Sequence, residues 1–335
     1  MAKSVRGANP IDVVEAAYEL DRDDQDLLRN VAAAVRPVID GGHGITAYFY
    51  DLAAPPKTWL ERAVLFDVEP AQIHDMTELT TATPRITEVT HLNAQPLASA
   101  VEGARRGGFG DVREVPLVRD LFARLGVRDY LALRTIEPGG RGICFTAGQA
   151  RDCKTEPRSR RLWARVSAHI AAARRLRASL AMAHGAGEIQ AVLTPSGKLD
   201  HAERDARGAR EALRDAVLRQ ERARGRARRT EPERATEAWT ALVSGRWSLV
   251  DHFERNGRRY IVARRNEHDV PDPRALTARE RAIAHLATLG KSNKLIAYEV
   301  GLAESTVGNH LAAAMRKLGA SSRVDLIRVI ADIAA

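Results

Sequence analysis

The strongest constraint in this sequence lies at its C-terminal end, where four short helical runs follow one another with only a few residues between them. Thr277 can cap the first run, and Glu280, three residues later, completes the reciprocal pattern of a capping box. Ile283, Leu286 and Leu289 supply its apolar side, and Gly290 stops it. Ser292 caps a second, short run with Ile296, Ala297 and Val300 inward. Gly301-Leu302-Ala303 makes a tight turn in which Gly301 tolerates a positive φ. A third run starts at Glu304 or Ser305, carries Val307, Leu311, Met315 and Leu318 on one face, and ends at Gly319. The fourth starts at Ser322 and is apolar at Leu326, Ile327, Val329 and Ile330.

Two short helices around a three-to-four-residue turn form a helix-turn-helix when the outer face of the second stays free. Such a helix fits the major groove, about 12 Å wide, while amides and cations at neighbouring helix ends hold phosphates. A generic four-helix interaction bundle has the same periodicity. Periodicity alone leaves the two open.

The remainder of the chain is large enough for further domains, since 335 residues correspond to about two or three. With 44% hydrophobic and 28% charged residues, it reads as folded and soluble rather than disordered. No stretch approaches the ~18 consecutive apolar residues of a membrane span, and Met1 to Pro10 lacks the apolar core of a secretory signal. Cys144 and Cys153 are too few for a disulfide scaffold or a cysteine-rich zinc site. A cytoplasmic protein with no membrane partner is expected. Formal charge is unevenly placed: −5 over residues 1–150, +11 over 151–230, 0 over 231–271 and +3 over 272–335, totalling +9. An acidic first half and a basic remainder fit a sensing part joined to a nucleic-acid-binding part, although basic stretches are also common on solvated helix faces.

The upstream pattern predicts an α+β fold with antiparallel sheet. Asn9-Pro10 caps a first helix through Val13, Val14, Ala17 and Tyr18, and a second near Asp24 to Val38 buries Leu27, Leu28, Val31 and Val35. Strands are expected at Ile45–Tyr50, Thr58–Phe66, Tyr130–Ile136 and Arg141–Thr146, with mixed helix and loop between the second and third. From Pro157 to Ala183 the pattern turns helical. A second short α/β unit begins at Ile189–Leu193 and turns at Thr194–Gly197. The basic run Arg222 to Arg229 reads as a solvated helix end or loop, and Asn256-Gly257 marks a hairpin between Arg246–Phe253 and Tyr260–Arg264. Pro271–Pro273 reads as a linker. The expected domains are 1–185, 186–270 and 271–335, with no repeat of 20–50 residues.

Several motifs of catalysis or ligand binding fail on spacing. Gly290-Lys291-Ser292 lacks the glycine that a phosphate loop needs five positions earlier, where His285 stands, and no strand precedes it. Gly103 to Gly110 is glycine-rich without dinucleotide-binding spacing. His169 and His184 read as packing or surface residues, and Asp23-Asp24 as an acidic helix start. No catalytic residue, metal site or cofactor is expected.

The residues of the C-terminal segment decide between the two helical readings. Leu276–Glu280, Gly290–Ala297, Glu304–His310, Lys317–Gly319 and Ser322-Arg323, in this order and spacing, closely resemble the LuxR (GerE-type) DNA-binding domain. The resemblance covers residues 272–335 and implies a bacterial transcription regulator with its helix-turn-helix at about 292–311. It implies DNA contacts by Ser292, Asn293, Lys294, Ser305, Thr306, Gly308, Asn309, His310 and Lys317. It also implies pairing of two protomers through the last helix, at Leu326, Ile327, Val329 and Ile330. The family usually has lysine where Gly308 stands, which leaves the recognition face short of cations. More loosely, residues 25–180 resemble a GAF-type sensor, and Ala191–Gly197 with the later hairpin a PAS-type unit. The expected partners are double-stranded DNA, a second copy of the chain, RNA polymerase, and an unknown small-molecule or protein signal. The competing reading is an enzyme on the GAF-like half, with the C-terminal bundle used for assembly.

Overall fold

Asn9 Oδ1 accepts the Ile11 N–H at 3.0 Å and so starts α1 (Pro10–Ala17), where proline at the first position sacrifices no helical hydrogen bond. The computed structural model describes residues 9–20, 23–52, 60, 63–92, 95–135, 141–182, 189–239, 242–243, 247–253, 258–265, 277–318, 320 and 322–334. α2 (Asp24–Ile39) is capped by Asp23, whose Oδ1 accepts from Asp26 N–H at 2.8 Å, and turns Leu27, Leu28, Val31 and Val35 inward. There follow β1 (Ile45–Asp51), β2 (Val64–Phe66), α3 (Ala71–Ala82), α4 (Pro84–Leu92), β3 (Leu97–Ser99), α5 (Ala100–Arg106), α6 (Pro116–Arg124), β4 (Asp129–Arg134), β5 (Arg141–Gln149) and α7 (Pro157–Met182). The chain divides into two units, Met1–Ala171 and Ala172–Ala335. That division falls within α7, whereas the sequence places its first boundary after this helix.

The strands of the first unit form one antiparallel sheet in the order β2-β1-β5-β4-β3. The sequence pattern gives four of these strands and misses β3, whose three residues are too few to show an alternation. β3 is fixed by pairing, Leu97 to Leu133 and Ser99 to Leu131. Part of the expected Thr58–Phe66 strand lies outside the described residues; Val64–Phe66 is strand. At the start of β1, a Cβ on Gly44 (φ +72°) would stand 2.2 Å from the Phe66 carbonyl oxygen, so glycine is required where β1 passes the end of β2.

Paired residues in a sheet point to the same face. Tyr48 pairs with Cys144, and Cys144 with Arg134, so these three form a row across the sheet. Ala47, Phe145 and Leu133 form the neighbouring row on the opposite face. α2 packs against β1, β4 and β5. His169 is buried within the same unit with its Nδ1 3.5 Å from the Tyr18 hydroxyl, in keeping with a packing role.

The second unit holds β6 (Ile189–Leu193), β7 (Leu199–Ala202), α8 (Arg204–Gly208), α9 (Arg210–Arg224), α10 (Ala227–Thr230), α11 (Pro232–Ala238), β8 (Leu242–Val243), β9 (Trp247–Phe253) and β10 (Arg259–Arg265). Its antiparallel sheet runs β7-β6-β10-β9-β8, the same relative strand order as the first. The Asn256-Gly257 turn lies outside the described residues, but β9 and β10 pair from Phe253–Arg259 to Trp247–Arg265 as a hairpin would require. Leu213, Ala216 and Val217 of α9 pack with Leu193, Leu249 and Ile261 of the sheet. One expectation fails here. Arg224 is not a solvated member of a basic run: it bonds Glu221 at 2.7 Å and Asp251 at 2.5 Å, and its guanidinium lies 4.6 Å from the Trp239 ring centre. Glu221 is one turn away on the same helix, whereas Asp251, 27 positions along the chain, meets Arg224 only where α9 packs against the sheet.

The chain ends in α12 (Ala278–Thr288), α13 (Asn293–Val300), α14 (Glu304–Leu318) and α15 (Arg323–Ala334). Their core is their own: Ile283, Leu286, Ile296, Val300, Val307, Leu311, Ala314 and Leu326 form one buried cluster, with Met315 and Ile330 packed against it.

Candidate nucleic-acid interface

Local bonds set the angle between α13 and α14 before any ligand is considered. The Glu280 N–H donates to Thr277 Oγ1 at 3.2 Å and the Thr277 N–H to Glu280 Oε2 at 2.8 Å, both halves of the capping box that starts α12. Ser292 Oγ accepts the Leu295 N–H at 3.2 Å and starts α13. Gly301 ends it in the left-handed region (φ 66°, ψ 36°), and Leu302 N–H donates to the Ala297 carbonyl at 3.0 Å. A side chain at Gly301 would add about 1–2 kcal/mol of backbone strain. The turn therefore holds α14 against α12 and α13 with one side free.

That free side carries much of what the sequence assigned to DNA. Val307, Leu311 and Ala314 are buried, while Ser305, Asn309 and Ala312, spaced by four and three, are exposed along the other side of α14. Thr306, Gly308 and His310 are half-buried beside them, and Lys294 is exposed in the first turn of α13. The Lys317 side chain lies outside the described residues. The start of α13 carries the Lys294 ammonium, and Asn309 carries an amide that can donate and accept at once.

The structure adds two residues that sequence reasoning did not assign. Arg323, at the start of α15, donates to Asn293 Oδ1 through Nη2 and to the Lys291 carbonyl through Nη1 at 3.2 Å. Asn293 is thereby held with its NH2 group free to donate. These partners are 30 positions apart, beyond any local spacing signal. Glu299 is buried, its Oε2 2.7 Å from Lys291 Nζ, with side chains 0% and 10% exposed. The lysine of Gly290-Lys291-Ser292 thus serves the domain's interior. A Cβ on Gly308 would stand 3.8 Å from Asn293 Nδ2, an ordinary contact, so nothing within the chain requires glycine there.

The expected pairing surface on α15 needs correction. Leu326 is fully buried in the domain's own core and Ile330 packs against that core, because α15 lies on α12. Ile327 is 44% exposed, as is Val324 at 59%; the side chain of Val329 lies outside the described residues. Among the described residues, no group of histidine, cysteine and acid residues could hold a metal ion, and no helix is long and apolar enough to cross a membrane.

Comparison with known proteins places this geometry. Residues 274–330 match the family of bacterial regulatory proteins, luxR family. The chain is 42% identical over 101 residues to a glycerol metabolism activator of Pseudomonas putida, covering 29% of this chain and 46% of that protein. It is 43% identical over 58 residues to the spore germination protein GerE of Bacillus subtilis, covering 16% of this chain and 78% of GerE. A 55-residue match at 44% identity to the response regulator RamR of Streptomyces coelicolor covers 16% of this chain and 27% of RamR. The alignments span less than half of the length of the glycerol metabolism activator and of RamR. Among solved structures, Escherichia coli SdiA superposes over 93% of this chain and 92% of its own with a TM-score of 0.30 at 10% identity.

Proposed function

The chain belongs to the luxR family of bacterial regulatory proteins, and from that premise we propose that it is a cytoplasmic transcription regulator, not an enzyme, which reads DNA with α14 and is controlled through its two upstream sheets. The carrying observation is the free side of α14, where Ser305, Asn309 and Ala312 stand exposed above a wholly internal core. α14 enters the major groove; Asn309 bonds a base edge, while Ser305, Thr306, Gly308 and His310 approach the groove wall. Ser292, Asn293 and Lys294 at the start of α13, with Lys317 at the end of α14, take phosphates.

Two copies of the chain bind together, meeting at Ile327 with Val329 nearby. RNA polymerase is the downstream partner. Residues 1–185, the GAF-like region, and 186–270, the PAS-like region, receive a small-molecule or protein signal and pass it to residues 271–335.

Enrichment of genomic DNA on the full-length protein, followed by sequencing, tests the reading: reproducible sites are expected, and their absence alongside turnover of a substrate would replace it with the enzymatic one. On an enriched site, Lys294→Ala and Lys317→Ala should each weaken binding to all sequences alike and flatten the slope of log affinity against log salt by about one unit. Unchanged slopes in both variants would remove the phosphate assignment.

A further inference from the structure

The first sheet contains a buried cation that no carboxylate among the described residues neutralises. Arg134 is 5% exposed; its Nη1 reaches the Ala98 carbonyl oxygen at 3.5 Å, and its Nε has no hydrogen-bond partner. Among the described residues no ion pair joins it to a carboxylate; the unit's arginine–carboxylate pairs are made elsewhere, as at Arg113–Asp111 and Arg141–Asp51. An arginine cannot escape the cost of burial by losing its proton, so an uncompensated guanidinium in the interior is unfavourable.

The groups beside Arg134 do not supply the missing charge. Burial pushes the Cys144 thiol and the Tyr48 hydroxyl above their ordinary values, so both stay protonated. His91 Nδ1 bonds the Thr87 carbonyl at 2.8 Å and its Nε2 the Tyr48 hydroxyl at 3.1 Å. Burial, with the Arg134 charge second, lowers it to about 3, so it is neutral. The surroundings are otherwise apolar and aromatic: Tyr48, Tyr50, Leu60, Ala132 and Cys144 form one buried cluster with Met76 against it, and the His91 ring meets the Tyr50 ring edge-on with centres 4.7 Å apart.

We propose that this face of the first sheet binds a small molecule with one carboxylate and an apolar body, the carboxylate paired with Arg134 and the body lying against Tyr48, Tyr50 and Met76. A planar guanidinium matches a carboxylate in charge and in bidentate geometry. A phosphate dianion would bring a second charge that neutral His91 does not offset. The bound carboxylate satisfies the orphaned Nε edge and removes the penalty of the lone cation, so occupancy stabilises the sheet where β4, β5 and β1 meet. The proposal rests on the sensing role assigned above to the upstream region only for its consequence; the binding is measured without DNA, so either can fail while the other stands.

The test uses the full chain at neutral pH with benzoate and hexanoate as probes, benzamide as the uncharged counterpart and inorganic phosphate as the competing anion. Benzoate or hexanoate should raise the thermal midpoint saturably, while benzamide and phosphate do not. Arg134→Met should unfold no earlier than the wild type without ligand, since it removes the uncompensated charge, and should bind the carboxylate at least tenfold more weakly. No carboxylate binding, equal binding by the variant, or equal response to benzamide or phosphate overturns the proposal. If Arg134→Met does not fold, alkylation of wild-type cysteines decides instead. The carboxylate should slow modification of Cys144 but not of Cys153, and an unchanged Cys144 rate overturns the proposal.

Discussion

Gly308 occupies an interior position of a helix that almost any other residue would favour, and the nearest atom a side chain would meet there is Asn293 Nδ2 at 3.8 Å. Gly308→Ala should therefore stabilise the domain by up to about 1 kcal/mol in denaturant titration. Gly308→Lys should in addition tighten binding to a selected DNA site at fixed salt, because it adds a cation beside Asn309. Weaker binding by the alanine variant with its fold intact would mean that the DNA needs the backbone close, and the lysine expectation would fall with it. His91 is a second residue whose chemistry the fold dictates. Its pKa of about 3 in the folded chain lies below its ordinary 6.5, so the unfolded chain takes up the proton first as pH falls. Its contribution to stability is complete above about pH 6.5 and is lost progressively towards pH 3, at up to about 1.4 kcal/mol per pH unit. Urea midpoints at pH 7.5 and 5.5 should therefore converge in His91→Gln relative to wild type; an equal pH dependence in both would exclude His91 as the source.

At the scale of elements, α13 is fixed by a turn that sequence shows and by an ion pair that it does not. Ser292, Gly301 and the apolar trio Ile296, Ala297, Val300 are legible in order along the chain, and the helix bounds follow from them. Lys291 and Glu299 are eight positions apart, with Lys291 outside the helix, so no helical spacing rule joins them; only the folded domain brings them to 2.7 Å. Lys291→Met alone should cost about 3–5 kcal/mol, since it breaks a buried ion pair by removing one member, whereas Lys291→Met with Glu299→Leu should recover most of the loss. Thermal unfolding of the single and double variants measures this, and a single variant as stable as wild type would show the pair to be superficial. β3 and Arg224 illustrate the same limit. Three strand residues carry no local signal, and Glu221, three positions before Arg224, is only half of its environment; pairing with β4, and Asp251 across from Arg224, decide them.

For the whole molecule, the proposed two-fold pairing on DNA leads to a geometric expectation. If the recognition helices of two copies enter the major groove on one side, their half-sites lie about 10–10.5 base pairs apart, and footprinting on an enriched site should show that spacing. Ile327→Glu should lower the dimer fraction on DNA in light scattering without unfolding the domain, because Ile327 is exposed. A wild-type monomer on an intact site would end this expectation. The sequence by itself determined the C-terminal helices, their caps, the Gly301 turn and the family, because each is encoded within a few neighbouring residues whose backbone preferences and apolar spacing act locally. It also determined the antiparallel α+β character upstream. Only the tertiary structure decided that Leu326 faces inward, that Arg323 holds Asn293, that the two sheets share a strand order, and that Arg134 is buried with no carboxylate paired to it among the described residues. Those facts depend on which distant residues are brought to one side of a sheet or helix, where burial sets the cost of a charge and pairing sets its direction.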